Sequence, residues 1–192
     1  MPASSVAPQP NADFFARDVA LVARDLIGAE LLVDGVGGTI VEVEAYDHLD
    51  PASHSFRGPT ARNASMFGPP GRAYVYRIYG VHWCLNIVSG AHPGAAVLIR
   101  ALEPAAGVGI MGERRGTASP RLLCSGPGRL CQALGVTGAL DGVALDAPPF
   151  SLKAQNRAHD LIVGARIGVS KGAETPWRFG LAGSPFLSRP FR

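Results

Sequence analysis

The sequence predicts an α+β fold. It reads as one domain with a curved, mostly antiparallel sheet, open-barrel-like, carrying a few flanking helices and a projecting β-hairpin. Three observations predict it. Strand-like runs are short and separated by turn residues. The 24 Gly and 16 Pro leave little room for long uninterrupted helices. The 192 residues suit one domain with a real core, and neither an internal repeat nor a dividing linker interrupts them.

The elements follow in order. Residues 1–10, rich in Ala, Ser and Pro, read as a disordered tail, and 11–192 as the folded domain. Asp13 to Ile27 reads as a helix, with Phe15, Val19, Val22 and Leu26 on one stripe. Asn11 or Asp13 can cap its start and Gly28 can stop it. Thr39 to Tyr46 alternates as a strand, with Thr39, Val41, Val43 and Ala45 on one face and Ile40, Glu42, Glu44 and Tyr46 on the other. Asp47 to Gly71 is a loop rich in His, Ser, Gly and Pro, of the kind that carries function.

Ala73 to Ile78 and Val81 to Val88 form a hairpin turning at Tyr79-Gly80. Ala95 to Ala101 is a third strand of this group. Ser125 can cap a short helix that Gly135 closes. Short strands are expected at Leu161 to Val163, Arg166 to Val169 and Arg178 to Leu181.

Composition excludes several classes. With 47% hydrophobic and 17% charged residues the chain is globular rather than disordered. No run of about 18 apolar residues suggests a membrane span, and the start lacks the basic and apolar regions of a signal peptide. Three Cys without a C-x-x-C pair argue against a disulfide framework or structural zinc, and fit a reduced cytoplasmic or nuclear compartment. His48 and His54 have no further ligand pattern, so no metal is expected. Walker, nucleophile-elbow and dinucleotide motifs are missing, so no cofactor is expected either.

Charge is informative in its distribution. The net charge is only +3, yet Pro51 to Leu102 has no acid and carries Arg57, Arg62, Arg72, Arg77 and Arg100. Such a stripe suits a polyanion partner, although a solvated basic face is an equal reading. All four tyrosines, Tyr46, Tyr74, Tyr76 and Tyr79, fall in or beside this stretch with His54. Rings beside arginines can stack a base and hold its backbone. Tyr74 and Tyr76 read equally well as sheet residues. Tyr79, beside Gly80 at a tight turn, has little to pack on and reads as an exposed wedge. Glu42 and Glu44 share a strand face and could be an acid/base pair, or one solvated and one ion-paired glutamate. Tyr46 on the same face favours Glu44 as the group that activates a water, with a nearby arginine favouring its charged form.

These residues carry a resemblance. Val41–Tyr46 (VEVEAY) looks like the V-E-x-E-A-Y strand of the alkyladenine (3-methyladenine) DNA glycosylases. In family order follow Ala52–Ser55, Arg62-Asn63, Met66-Phe67, Tyr74–Tyr76, Ile78–Gly80, Cys84–Ile87 and Val97–Pro104. Cys124–Pro127, Leu130–Leu134, Arg166–Val169 and Gly183–Pro185 complete the series, which runs from about Asp13 to Ser188. The resemblance implies a DNA repair hydrolase that flips a damaged purine from duplex DNA and cleaves its glycosidic bond without cofactor or lyase step, as a monomer. By resemblance, Glu44 is the general base, Arg100 holds the water and the carboxylate, and the Ile167 backbone carbonyl contacts the water. Tyr46, His54 and Tyr76 sandwich the base, Asn86 clashes with the 2-amino group of guanine, and Tyr79 fills the gap in the duplex. Arg57, Arg62, Arg72 and Arg77 are expected at phosphates. The chain departs from the eukaryotic members in a loop at Phe56–Ala61 shorter by a residue, in Pro59 near a basic position, and in His82 at an aromatic one. Two other readings compete: a non-catalytic nucleic-acid binding protein of the same fold, and a small-molecule transferase or hydrolase on a related open barrel.

Overall fold

A computed structural model describes residues 9–154 and 158–191. Most of the expected tail, 1–8, lies outside the described residues. The α+β expectation holds: a curled antiparallel sheet is covered by short helices.

The expected first helix is two. α1 (Ala12–Phe15) is capped by Asn11, and α2 (Val19–Leu26) by Asp18. The break has a local cause. Asp18 leaves the helical conformation (φ −46°, ψ 130°), and its carboxylate accepts the N–H groups of Ala20 and Leu21 at 2.9 and 3.1 Å, which restarts the helix. α2 then buries Val19, Val22, Ala23 and Leu26, each large side chain contributing roughly 1.5–3 kcal/mol of burial.

The sheet is built from β1 (Glu30–Val33), β2 (Val36–Tyr46), β3 (Ala73–Ile78), β4 (His82–Ser89) and β5 (Ala95–Ala106). After α3 (Val108–Arg115), α4 (Pro120–Leu123) and α5 (Pro127–Leu134) come β6 (Phe150–Lys153), β7 (Leu161–Gly164) and β8 (Arg178–Leu181). The strand order is β3-β4-β5-β2-β1-β6, with β8 pairing both β2 and β7. The long β2 is the axis: β5 flanks one edge, while β1 and then β8 share the other. Neighbours approach it so closely that a Cβ on Gly37 would stand 2.0 Å from the Leu31 carbonyl oxygen, and one on Gly38 would stand 1.9 Å from that of Glu103. Only glycine fits there.

The simple alternation read for β2 needs correction. The β2–β5 register shifts between Ile40 and Glu42, where Val41 is left unpaired in a bulge, and again between Glu42 and Val43, where Arg100 of β5 is left unpaired. Ile40 therefore joins Val43 and Ala45 in the main core rather than the face of Glu42 and Glu44. Arg166 to Val169 is not a strand. Its polar groups are used elsewhere: the Arg166 side chain turns inward to Asp50, and the Ile167 N–H goes to the Glu44 carboxylate. α5 starts at Pro127 with Gly126 as its cap, not Ser125, which bridges Ala101 instead. β1, β6, α3 and α4 were not expected.

Two faces result. Val75, Leu85, Ile87, Val97, Ile99, Val43 and Ala45 pack with α2, α3 and α5 in the main core. The alternate residues of the same strands face the other way. Tyr74, Val88 and Ala96 make a smaller cluster with Met66, against which Tyr46, Phe67 and Tyr76 pack. The period of two thus delivers every chemically active side chain of β2 to β5 to one face.

Candidate active site

On that second face a cavity of about 180 Å³ opens between β2, β3, β4 and β5. It exceeds the roughly 150 Å³ that holds benzene in an engineered protein interior. Its walls include Tyr46, His54, Tyr74, Tyr76, Met66 and Asn86, with Glu44 and Arg100 at the polar end.

Glu44 is fully buried on a strand paired at both edges, opposite Leu98 on β5 and Arg178 on β8. Its Oε1 accepts the Ile167 N–H at 2.7 Å. Its Oε2 accepts the Tyr46 hydroxyl at 2.8 Å and Arg100 Nη1 at 3.2 Å. Three donors from three chain segments therefore fix one carboxylate. Ile167 approaches through its N–H, whereas the resemblance had implicated its carbonyl.

Arg100 is nearly buried on β5. Burial works against its charge, but Glu44 and Glu42 outweigh it, so its pKa stands above the ordinary guanidinium value. Burial also raises the Tyr46 phenol, helped by adjacent Glu44, and raises Tyr76, which lies against the Cys84 thiol. The Tyr74 phenol is pushed up to about 12, by burial first and then by Asp141. These phenols are neutral hydrogen-bond donors at physiological pH.

His54 sits edge-on to Tyr76 with ring centroids 4.5 Å apart, and its Nδ1 is 3.0 Å from the Tyr74 hydroxyl. Although the residue as a whole is exposed, the burial of its ring nitrogens lowers its pKa, and Arg62 lowers it further. The neutral imidazole predominates above the ordinary value of about 6.5. Its loop is pinned by Asn63, whose Nδ2 donates to the His54 carbonyl at 2.9 Å. Asn86 is locked as well: Nδ2 donates to the Tyr74 carbonyl at 3.0 Å.

Tyr79 stands at the hairpin tip beyond the cavity mouth and is 87% exposed. Both Tyr79 (φ 51°) and Gly80 (φ 67°) are left-handed, and the Val81 N–H closes the turn on the Ile78 carbonyl at 3.0 Å. A left-handed tyrosine costs about 1–2 kcal/mol. This conformation directs the chain so that the ring packs on nothing.

All four expected phosphate-contact arginines are exposed. Arg62 Nη2 donates to the Arg77 carbonyl at 2.8 Å, and Arg77 lies over Trp83, so these two flank the hairpin. Arg72 precedes the other end of β3, ~20 Å from the tip at the ordinary strand rise, and donates to the Gly142 carbonyl. It is not gathered with the others. Arg57 lies on the His54 loop.

Sequence reasoning missed the supports. Arg166 is buried, pairs with Asp50, donates to the carbonyls of Ala45 and Gly172, and lies 4.7 Å from the Tyr46 ring. Asp50→Ala would leave that guanidinium buried without its counter-charge. A loss of about 3–5 kcal/mol in stability is expected, measurable by chemical denaturation. A change under about 1 kcal/mol would show that the pair is unimportant to folding. Glu42, a candidate partner of Glu44 by sequence, is fully buried behind it. Among the described residues no cluster of three His, Cys, Asp or Glu could hold a metal, and no helix is long and apolar enough to cross a membrane.

Comparison with known proteins gives the class first: the matching proteins are DNA glycosylases. More narrowly, residues 13–185 match the family model described as methylpurine-DNA glycosylase, and the chain belongs to that family. A protein of Nitrosospira multiformis is 63% identical over 96% of this chain and 95% of its own length. One of Rhodopseudomonas palustris is 60% identical over 98% and 95%, and one of Nitrobacter winogradskyi 61% over 93% and 86%. All three carry the name "Putative 3-methyladenine DNA glycosylase".

Proposed function

We propose that this chain excises alkylated or deaminated purines from duplex DNA, hydrolysing the N-glycosidic bond with a water activated by Glu44. One observation carries the reading: the Glu44 carboxylate is fixed by Ile167, Tyr46 and Arg100 at the polar end of an aromatic cavity. The names of the relatives agree with it.

The target carbon is shielded inside a duplex, so the nucleotide leaves the stack at a cost of a few kcal/mol, least for a damaged or mispaired base. Tyr79 enters the gap from the minor groove. Arg57, Arg62 and Arg77 hold phosphates, and binding falls with salt. The base enters between Tyr46, Tyr76 and His54. Electron-rich rings favour a cationic alkylated purine, and a neutral His54 does not repel it. Glu44 takes a proton from water, the water oxygen bonds to C1′, and the glycosidic pair leaves with the base. A cationic lesion departs neutral; hypoxanthine or ethenoadenine needs a proton as well. The lysines Lys153 and Lys171 lie outside the cavity lining, which agrees with hydrolysis lacking a Schiff-base step.

The test is release of free base from duplex oligonucleotides carrying 3-methyladenine, 7-methylguanine, hypoxanthine or ethenoadenine. Excision of at least one is expected, and none from any would refute the reading. Asn86 gives a finer expectation. Its amide cannot swing away without breaking the bond to the Tyr74 carbonyl. Asn86→Ser should admit the 2-amino group and raise excision of normal guanine roughly tenfold or more, at about 1–2 kcal/mol of stability for the lost hydrogen bond. Unchanged guanine excision would make Asn86 a structural residue only.

A further inference from the structure

Behind Glu44 lies a buried charge cluster that reaches the cavity only through Arg100. Glu42, two residues earlier on the same face, is fully buried. Its Oε1 accepts from Arg100 Nε at 2.9 Å, Arg178 Nε at 2.9 Å and Ser188 Oγ at 2.7 Å. Its Oε2 accepts the Ser188 N–H at 2.5 Å. Arg178 in turn donates to the carbonyls of Arg189 and Pro190 at 2.6 and 3.3 Å, and its guanidinium lies 3.8 Å from the Phe191 ring. Ser188–Phe191 belongs to no helix or strand, yet it is fastened to two charged residues of the sheet.

The consequence for Glu44 is geometric. Arg100 stands between two carboxylates and serves both. Left to Glu44 alone, a guanidinium would form the favoured bidentate pair and occupy the oxygens that must take a proton. Glu42 holds Nε and so fixes the guanidinium plane. Glu44 then receives only Nη1, at the longest of its three contacts, 3.2 Å. Ser188 occupies the remaining positions around Glu42 and touches Arg100 Nη2 at 3.4 Å.

We propose that Glu42 is a positioning residue for Arg100, and through it for Glu44, and that the segment Ser188–Phe191 is part of the active site rather than a tail beside it. This rests on the reading of Glu44 as the base. The experiment compares Glu42→Gln, Ser188→Ala and Glu44→Gln in the full chain. It records single-turnover excision of a lesion that the wild type releases, lesion-DNA affinity and melting temperature. Val33→Ala, in the core of β1, serves as a control for lost stability alone. Glu42→Gln is expected to slow excision about 10–100-fold, the range found for groups that orient metal ligands, with DNA affinity unchanged. Ser188→Ala should give a smaller loss of the same kind. Should Glu42→Gln be insoluble, Ser188→Ala decides alone, since it keeps the backbone contact. Wild-type rates in the soluble variants, or losses no greater than Val33→Ala shows, would overturn the proposal while an inactive Glu44→Gln leaves the base assignment standing. An active Glu44→Gln would instead remove the base assignment itself.

Discussion

Glu44→Gln is expected to lose base release while binding lesion DNA about as well as the wild type. The substitution keeps the shape of the side chain but removes its ability to take a proton from water. The surrounding donors determine how the amide sits. Its oxygen should face the Ile167 N–H, now at 2.7 Å from Oε1. Its NH2 group then meets the Tyr46 hydroxyl and Arg100. The hydroxyl can rotate to become an acceptor. Arg100 cannot, but its contact is the longest of the three and Glu42 still holds its Nε at 2.9 Å. The fold, the aromatic walls and the hairpin are untouched, so flipping and binding should persist. Removing a general base costs about 10²–10⁴-fold in rate, or roughly 3–5 kcal/mol of barrier. Single-turnover release of a lesion base that the wild type excises gives the rate, and fluorescence anisotropy with the same duplex gives the affinity. Turnover near the wild-type rate would leave Glu44 without a catalytic role.

The parts legible in the sequence were those governed by local pattern. The hairpin at Tyr79-Gly80, the alternation of β3 to β5 and the end of α5 at Gly135 depend on period and turn chemistry. The misreadings lie where a distant group took over a backbone or a side chain. Arg166–Val169 has a strand-like composition, but Arg166 is drawn to Asp50 and the Ile167 N–H to Glu44 across 123 positions of sequence. Local alternation carries no trace of such partners. The bulge around Val41 likewise depends on how β5 lies against β2, so the side of Ile40 could not be read from β2 alone. β1 and β6 pair with each other from distant parts of the chain, a partnership that neither short run shows by itself.

The site divides in the same way. Glu44, Tyr46, Tyr76 and Tyr79 could be singled out from residue types and neighbours, while Asn86 and Ile167 came only with the family resemblance. Neither source marked Glu42, Arg178, Ser188, Asp50 or Arg166 as supports. A buried ion pair joins residues without sequence periodicity, and each member alone looks like an ordinary surface charge. The proximity of Glu42 to Glu44 was the one available signal, and it pointed to an acid/base pair rather than to a shared arginine.

Tyr79→Ser should reduce excision by weakening the flipped state and should leave the fold intact. The ring is 87% exposed at the hairpin tip, so its removal opens no cavity and unpairs no buried group. The backbone penalty hardly changes, since serine at φ 51° is no better placed than tyrosine. The melting temperature should therefore hold. What disappears is an aromatic surface for the bases left facing the gap. Such stacking is worth about 1–3 kcal/mol, roughly a 5–150-fold change in the flipped population. The loss should be smallest when extrusion is already cheap, as for a lesion in a mismatch, and largest for a well-paired one. That gradient separates a wedge from a general DNA contact, which would weaken binding equally for both. The measurements are single-turnover excision from paired and mismatched duplexes, together with the fluorescence of a 2-aminopurine placed beside the lesion, which brightens on unstacking. Equal loss on both duplexes with normal unstacking would make Tyr79 an ordinary contact, and undiminished excision would leave its ring without a function in the reaction.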